Sequence, residues 1–234
     1  MRFLRIIFFW FFFALSACSN SYHANKHLSW SRAMQKVMRE YSAHAELNFA
    51  HDYDRVGVEY PGKKLAFLIF KEPKLFLIYV KSNHQWKYLR TYKILAASGT
   101  IGPKLKSGDD QVPEGIYKII GLNPESHFDL SLHLNYPNAY DLAQAKIDNR
   151  HNLGSNIFIH GDDKSVGCIA LGNASIQQIF PLVDTIGFNN VEVIIAPEDF
   201  RIKPIRYNLQ DPLWVTDLYK KISSKLRQFP LPRA

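Results

Sequence analysis

The sequence predicts an α+β fold, a β-rich domain flanked by helices. Three observations lead there. Between about residues 61 and 200, short apolar runs alternate with turns rich in Gly, Pro and Asn, at strand length. On either side, residues 29–50 and 214–229 repeat their apolar residues at helical spacing. Sixteen Phe and twelve Tyr in 234 residues suit a pleated surface better than a helical bundle. The 47% hydrophobic and 14% aromatic content excludes a disordered chain, and the length suits one domain with flanking elements rather than two.

Residues 1–18 have the layout of an export leader. Arg2 and Arg5 precede an apolar run from Ile6 to Leu15, far short of the roughly 20 residues that span a bilayer as a helix and suited to the h-region of a secretory signal. The run ends in Leu15-Ser16-Ala17-Cys18, which resembles a bacterial lipobox, with Cys18 the lipidated residue. The resemblance, with Ser19 following, implies a periplasmic, outer-membrane-anchored lipoprotein. The alternative is an ordinary signal peptide with an incidental cysteine. Multiple acyl chains would anchor firmly, whereas one binds only marginally.

Residues 19–60 are predicted to be a polar tether followed by a helix, or two, over 29–50. Trp30, Ala33, Val37, Tyr41 and Leu47 mark its apolar side. Tyr60-Pro61-Gly62 ends it. Leu65–Phe70, Leu75–Val80 and Tyr88–Ala97 then form three strands joined by turns at Glu72-Pro73-Lys74 and Asn83-His84-Gln85, a meander closing at Ser98-Gly99. Gly102–Val112 is a loop. Gly115–Ile120 and Asp129–Leu134 are strands, Ala139–Asn152 is part helix or flap, and Asn156–Ile159 is a short buried strand. Ala174–Val183 is helical and Val191–Ala196 is the last strand. The extension over 201–234 ends in an amphipathic helix with Trp214, Leu218, Ile222 and Leu226 on one face.

The net charge of +8 is spread without a long basic run. With no zinc-finger, helix-turn-helix or RNA-binding signature, no nucleic-acid partner is expected. The nine His offer no convincing ligand set, so neither a metal nor another cofactor is expected.

The two cysteines are Cys18 and Cys168. If Cys18 carries lipid, Cys168 is a lone thiol in an oxidising compartment, either reactive or buried and inert. A Cys18–Cys168 disulfide would tie Cys168 to a chain terminus. The stretch Ile157-Phe158-Ile159-His160-Gly161-Asp162-Asp163-Lys164-Ser165-Val166-Gly167-Cys168 delivers a His at a strand end and a Cys after a short loop. A thiol attacks as its thiolate, and an imidazole within reach can take its proton. Gly167 exposes backbone amides that could bind an oxyanion. A core His and a buried Cys would have the same spacing.

These residues resemble the signature of the YkuD-type L,D-transpeptidases: His-Gly, a loop, then Ser/Thr-His-Gly-Cys. Val112-Pro113-Glu114-Gly115-Ile116-Tyr117 and the opening meander are similar to that family too. The resemblance implies a sandwich-like L,D-transpeptidase catalytic domain over 61–200. His160 would be the general base, Gly161 its orienting carbonyl and Cys168 the nucleophile. The amides of Val166, Gly167 and Cys168 would form the oxyanion hole, and Ser165 matches the motif's Ser. The implied partners are peptidoglycan stem peptides.

Two positions depart from the pattern. Val166 stands where the family usually has His, and Ala170 where it often has Arg. With Asn123-Pro124 and Tyr136-Pro137-Asn138-Ala139-Tyr140-Asp141, these features resemble the YafK-like branch. That branch implies a hydrolase releasing a peptidoglycan-linked lipoprotein from diaminopimelate. A decayed, peptidoglycan-binding lipoprotein is the non-enzymatic alternative. Tyr136, Asn138 and Tyr140 are candidates for the substrate cleft, though Tyr-Pro-Asn could equally be a turn.

Overall fold

The computed structural model describes residues 31–207 and 210–232. The expected leader, Cys18, the tether and Trp30 lie outside them. Helix α1 (Arg32–Val56) is one continuous helix. Ser31 caps it by accepting the Met34 amide at 3.2 Å, and Gly57, at φ 61°, ends it in the left-handed conformation. Its buried stripe advances by four residues: Val37, Tyr41, Ala45, Phe49 and Tyr53. Leu47, expected on that stripe, falls between its rows and is 75% exposed.

The strands are β1 (Leu65–Phe70), β2 (Leu75–Ser82), β3 (Gln85–Lys93), β4 (Ala96–Ala97), β5 (Gly115–Ser126), β6 (Asp129–Leu134), β7 (Phe158–His160), β8 (Ile169–Ala170) and β9 (Val191–Ala196). Helix α2 (Ala139–Ile147) lies between β6 and β7. Helix α3 (Asn173–Ile186) precedes β9, and α4 (Val215–Leu226) follows it. The stretch expected as one strand over 88–97 is two, because Ile94 is buried and Leu95 turns to bond the Ala170 carbonyl. The short β8 was not expected. No helix among the described residues is long and apolar enough to cross a membrane.

The strands join in the order β3-β2-β1-β9-β5-β6-β7-β8-β4. Strand β9 runs parallel to β1 and antiparallel to β5, so it joins the opening meander to the remaining strands. The two edge strands, β3 and β4, are separated in sequence only by Ile94 and Leu95. So short a link spans about 10 Å, so the sheet must roll until its edges lie close together.

That roll explains the two apolar cores. One, with Phe67, Phe76, Leu132, Ile159, Phe180 and Val193, lies against α1 and α3. The other, with Leu68, Phe70, Ile194, Tyr219 and Ile222, lies under α4. Strand β1 feeds both, which is why Leu65–Phe70 is an unbroken apolar run with every residue buried. Each fully buried Leu, Ile or Phe contributes about 1.5–3 kcal/mol.

A buried polar knot ties α4 to the sheet. Lys71 follows β1 and donates to the carbonyls of Gly102 and Val112, each at 3.1 Å, and to Glu114 Oε1 at 3.0 Å. Glu114 also accepts the Gly102 amide at 3.0 Å and the Tyr219 hydroxyl at 2.7 Å. The knot pins both ends of the loop between β4 and β5.

Candidate active site

Strand β7 lies between β6 and β8, with Ser131 opposite His160 on one side and Ala170 opposite it on the other. Side chains on one face recur every second residue. The paired part of β8 begins at Ile169, so Cys168 immediately precedes it, and its sulfur lies by the Phe158 amide and the Asn156 carbonyl, at the start of the strand that ends in His160. Continuing the β4–β8 register, in which Ala97 faces Ile169, brings Ser98 opposite Cys168. Cys168 therefore sits just before β8, as Ser98 sits just after β4.

His160 is 1% exposed. Its Nδ1 lies 2.5 Å from the Gly161 carbonyl oxygen. A carbonyl only accepts, so Nδ1 carries the proton and the neutral ring presents Nε2 as its basic atom. The Phe128 ring packs on the imidazole at 4.7 Å between centroids. Burial pushes the imidazole below its ordinary value of 6.5, against the opposing pull of the Gly161 carbonyl and Asp162.

Gly161 has a steric reason to be glycine. A Cβ there would fall 2.6 Å from both the Phe128 carbonyl and Asn173 Oδ1. Asn173, the first residue of α3, also accepts the Asp162 amide at 2.7 Å and so closes the loop after the histidine.

The Cys168 thiol is half-buried and unbridged. Its sulfur lies 3.9 Å from the Asn156 carbonyl. Burial pushes the thiol up from its ordinary value, and the Phe158 amide and the Lys104 ammonium act the other way. Both shifts favour the neutral forms, imidazole and thiol.

The segment before Cys168 is pinned by hydroxyls. Ser165 Oγ donates to the Cys168 carbonyl at 2.6 Å and lies 3.0 Å from Ser98 Oγ. The Gly167 amide, expected to face the cleft, donates instead to Ser98 Oγ at 2.6 Å. Gly167 sits at φ +92° and packs on the Gln111 backbone, where a Cβ would meet the carbonyl at 3.4 Å. Val166 is 74% exposed and Ala170 is fully buried.

Tyr136, Asn138 and Tyr140 are each engaged in local structure. Tyr136 is buried, and its hydroxyl donates to the Leu153 carbonyl at 3.1 Å. Asn138 caps α2 by accepting the Tyr140 and Asp141 amides. Tyr140 packs on Trp214, with the Lys221 ammonium 4.5 Å from its ring centre. A cavity of about 530 Å³ instead lies beside them, lined by Ser107, Leu142, His151, Leu153 and Asn156 among others. It reaches the residue whose carbonyl faces the Cys168 sulfur.

Ser98, Phe158, Asn156 and Lys104 were not singled out by the sequence. Only Ser98 left a signal there, the Ser-Gly that ends the meander. Among the described residues, no three His, Cys, Asp or Glu side chains converge as a metal site.

The family model for the YkuD L,D-transpeptidase catalytic domain matches residues 67–195, from β1 to β9. The chain belongs to this family. It is 35% identical over 161 residues to "Putative L,D-transpeptidase YafK" of Escherichia coli (strain K12), covering 65% of this chain and 63% of that relative. The chain thus matches less than two thirds of that relative's length. Among solved structures it resembles the helical cell shape determining protein Pgp2 of Campylobacter jejuni, at TM-score 0.49 and 23% identity over 64% of this chain and 51% of that one. It also resembles Bd1075 of Bdellovibrio bacteriovorus, at TM-score 0.44 and 21% identity over 71% of this chain and 55% of that one. His160 and Cys168 both fall inside the region matched by this L,D-transpeptidase-family model.

Proposed function

We propose that this L,D-transpeptidase-family protein is a peptidoglycan-acting cysteine acyltransferase working through a thioester on Cys168. The observation that carries the reading is the orientation of His160. Its Nδ1 proton is committed to the Gly161 carbonyl, so Nε2 is the ring's basic atom, at the end of the strand whose start meets the Cys168 sulfur. Cys168 Sγ attacks a stem-peptide carbonyl while His160 takes the thiol proton. The C–N bond then breaks, and His160 passes that proton to the leaving amine. An amine or water next attacks the thioester and releases the thiol.

A second reading is favoured by Val166 and Ala170. An exposed Val and a buried Ala offer no charge or hydrogen bond to the carboxylate of a second stem, as a His and an Arg would. Water then becomes the acceptor, and the protein acts as an amidase releasing a peptide or lipoprotein from diaminopimelate. Under either reading the cavity beside Asn156 is the place for the stem, and Cys18 is a lipid anchor holding the 61–200 domain in the periplasm at the outer membrane.

The test is incubation of the purified protein with muropeptides and with lipoprotein-linked sacculi in heavy-oxygen water. Hydrolysis puts the label in the released carboxylate. Unlabelled cross-linked dimers would establish an amine acceptor, and no turnover of either material would overturn the acyl-transfer reading.

A further inference from the structure

We infer that Ser98 is a positioning residue for acyl transfer, the middle link of a one-way hydrogen-bond chain that orients the peptide planes around Cys168. The inference rests on Cys168 being the nucleophile.

The direction of the chain is forced by its ends. The Cys168 carbonyl can only accept, so the single hydroxyl proton of Ser165 goes to it, at 2.6 Å. Ser165 Oγ is then an acceptor towards Ser98, whose amide and hydroxyl both approach it, at 3.1 and 3.0 Å. With its own proton spent on Ser165, Ser98 Oγ accepts from the Gly167 amide at 2.6 Å. The chain therefore runs from the Gly167 N–H through Ser98 and then Ser165 to the Cys168 C=O. Every donor and acceptor in it has one role.

Its consequence lies at the nucleophile. The Gly167 amide belongs to the peptide before Gly167, and the Cys168 carbonyl to the peptide after Cys168. The peptide between them carries the Cys168 N–H. Gly167, at φ +92° and without a Cβ, would otherwise leave that plane free to turn. Ser98 and Ser165 clamp it from both sides. Because the Gly167 amide is spent on Ser98, the Cys168 N–H becomes the chief oxyanion donor of this segment, and its aim depends on the clamp. Ser98 is itself held from outside the segment: its carbonyl accepts the Val112 amide at 3.3 Å, and Val112 is gripped by Lys71.

Two reagents separate aim from reactivity, and neither needs the natural substrate. Acylation of Cys168 by p-nitrophenyl acetate passes through a tetrahedral oxyanion. Alkylation by iodoacetamide does not, and reports only on the thiolate. In the full-length protein, Ser98→Ala should slow acylation about 10²-fold, the scale of a donor displaced by about 1 Å. The alkylation rate and its pH profile should stay within about twofold of wild type. Ser98→Thr keeps the hydroxyl and should restore most of the acylation. Ser165→Ala should reproduce the acylation defect, and the double variant should be no worse than either single one, since both break one chain.

Unchanged acylation in Ser98→Ala, or equal losses of acylation and alkylation, would overturn the inference. Should Ser98→Ala fail to fold, the Ser98→Thr and Ser165→Ala pair decides by the same comparison. Cys168→Ala serves as control. Equal labelling of that variant at a site that peptide mass places away from Cys18 would sink the nucleophile assignment itself, whereas an inert Cys168→Ala beside a wild-type Ser98→Ala would sink only the role of Ser98.

Discussion

Replacing Lys71 by Met should cost about 3–5 kcal/mol of stability, the scale for removing one partner of a buried ion pair. Its side chain is 4% exposed and that of Glu114 is fully buried. The Met fills the space of the alkyl stem, so the loss is polar rather than a cavity effect. It leaves a buried carboxylate with the Gly102 amide and the Tyr219 hydroxyl as its remaining donors, and it strips the Gly102 and Val112 carbonyls of one donor each. Against a typical total of about 5–15 kcal/mol, the loss is large enough to move a urea midpoint visibly. The pH supplies a sharper test. Burial already pushes the Glu114 carboxyl above its ordinary 4.5, and Lys71 is the main counterweight. Without it that rise is larger, so the folded variant takes up the proton at a higher pH than the folded wild type does. Stability of the variant should therefore recover as pH falls from 8 towards 5, narrowing the gap to wild type. A loss below about 1 kcal/mol, or a gap of equal size at both pH values, would refute the assignment of Lys71 and Glu114 as a mutually dependent charged pair.

Three further outcomes follow. Gly161→Ala should cut activity by about 10²-fold while costing about 1–3 kcal/mol, because its Cβ meets the Phe128 carbonyl and displaces the carbonyl that orients His160; wild-type turnover with an unshifted melting curve would contradict this. The acid limb of kcat/KM should lie below pH 6.5, since the base must be unprotonated and burial depresses His160; a midpoint above pH 7 would point to a different base. Cys18→Ala should release the protein from the membrane fraction, and acyl mass persisting elsewhere in that variant would remove the anchor assignment.

Much of the frame was legible because it follows from periodicity. Leu65–Phe70, Asp129–Leu134 and Val191–Ala196, expected as strands, matched their observed bounds. The position of Leu47 was misjudged because an apolar residue one step off a helical stripe looks the same as one on it until a partner surface is present. Strand β8 is two residues long, too short to carry any period, and its pairing with β4 depends on chain brought from the far end of the sheet. The His160–Cys168 segment stood out by residue type and family likeness. Ser98 did not, because a serine in a turn has no distinctive chemistry until the fold sets a glycine amide against it. Tyr136 and Asn138 were ambiguous for the opposite reason: aromatic and amide side chains look like binding groups, and here folding consumes both.

The position of β9 bears on how the protein comes to be folded. On a ribosome, β1 and β5 emerge well before the strand that separates them, so both wait with a row of unpaired amides and carbonyls. Only after residue 196 is made can the two halves join, and α4, which covers β9, is later still. Contacts so distant in sequence slow the final ordering step. Until then the nascent chain exposes two open, apolar strand edges, templates for pairing with another molecule. A chain stopped before Val191 would keep the His160–Cys168 segment and still lack the strand that closes the sheet around it.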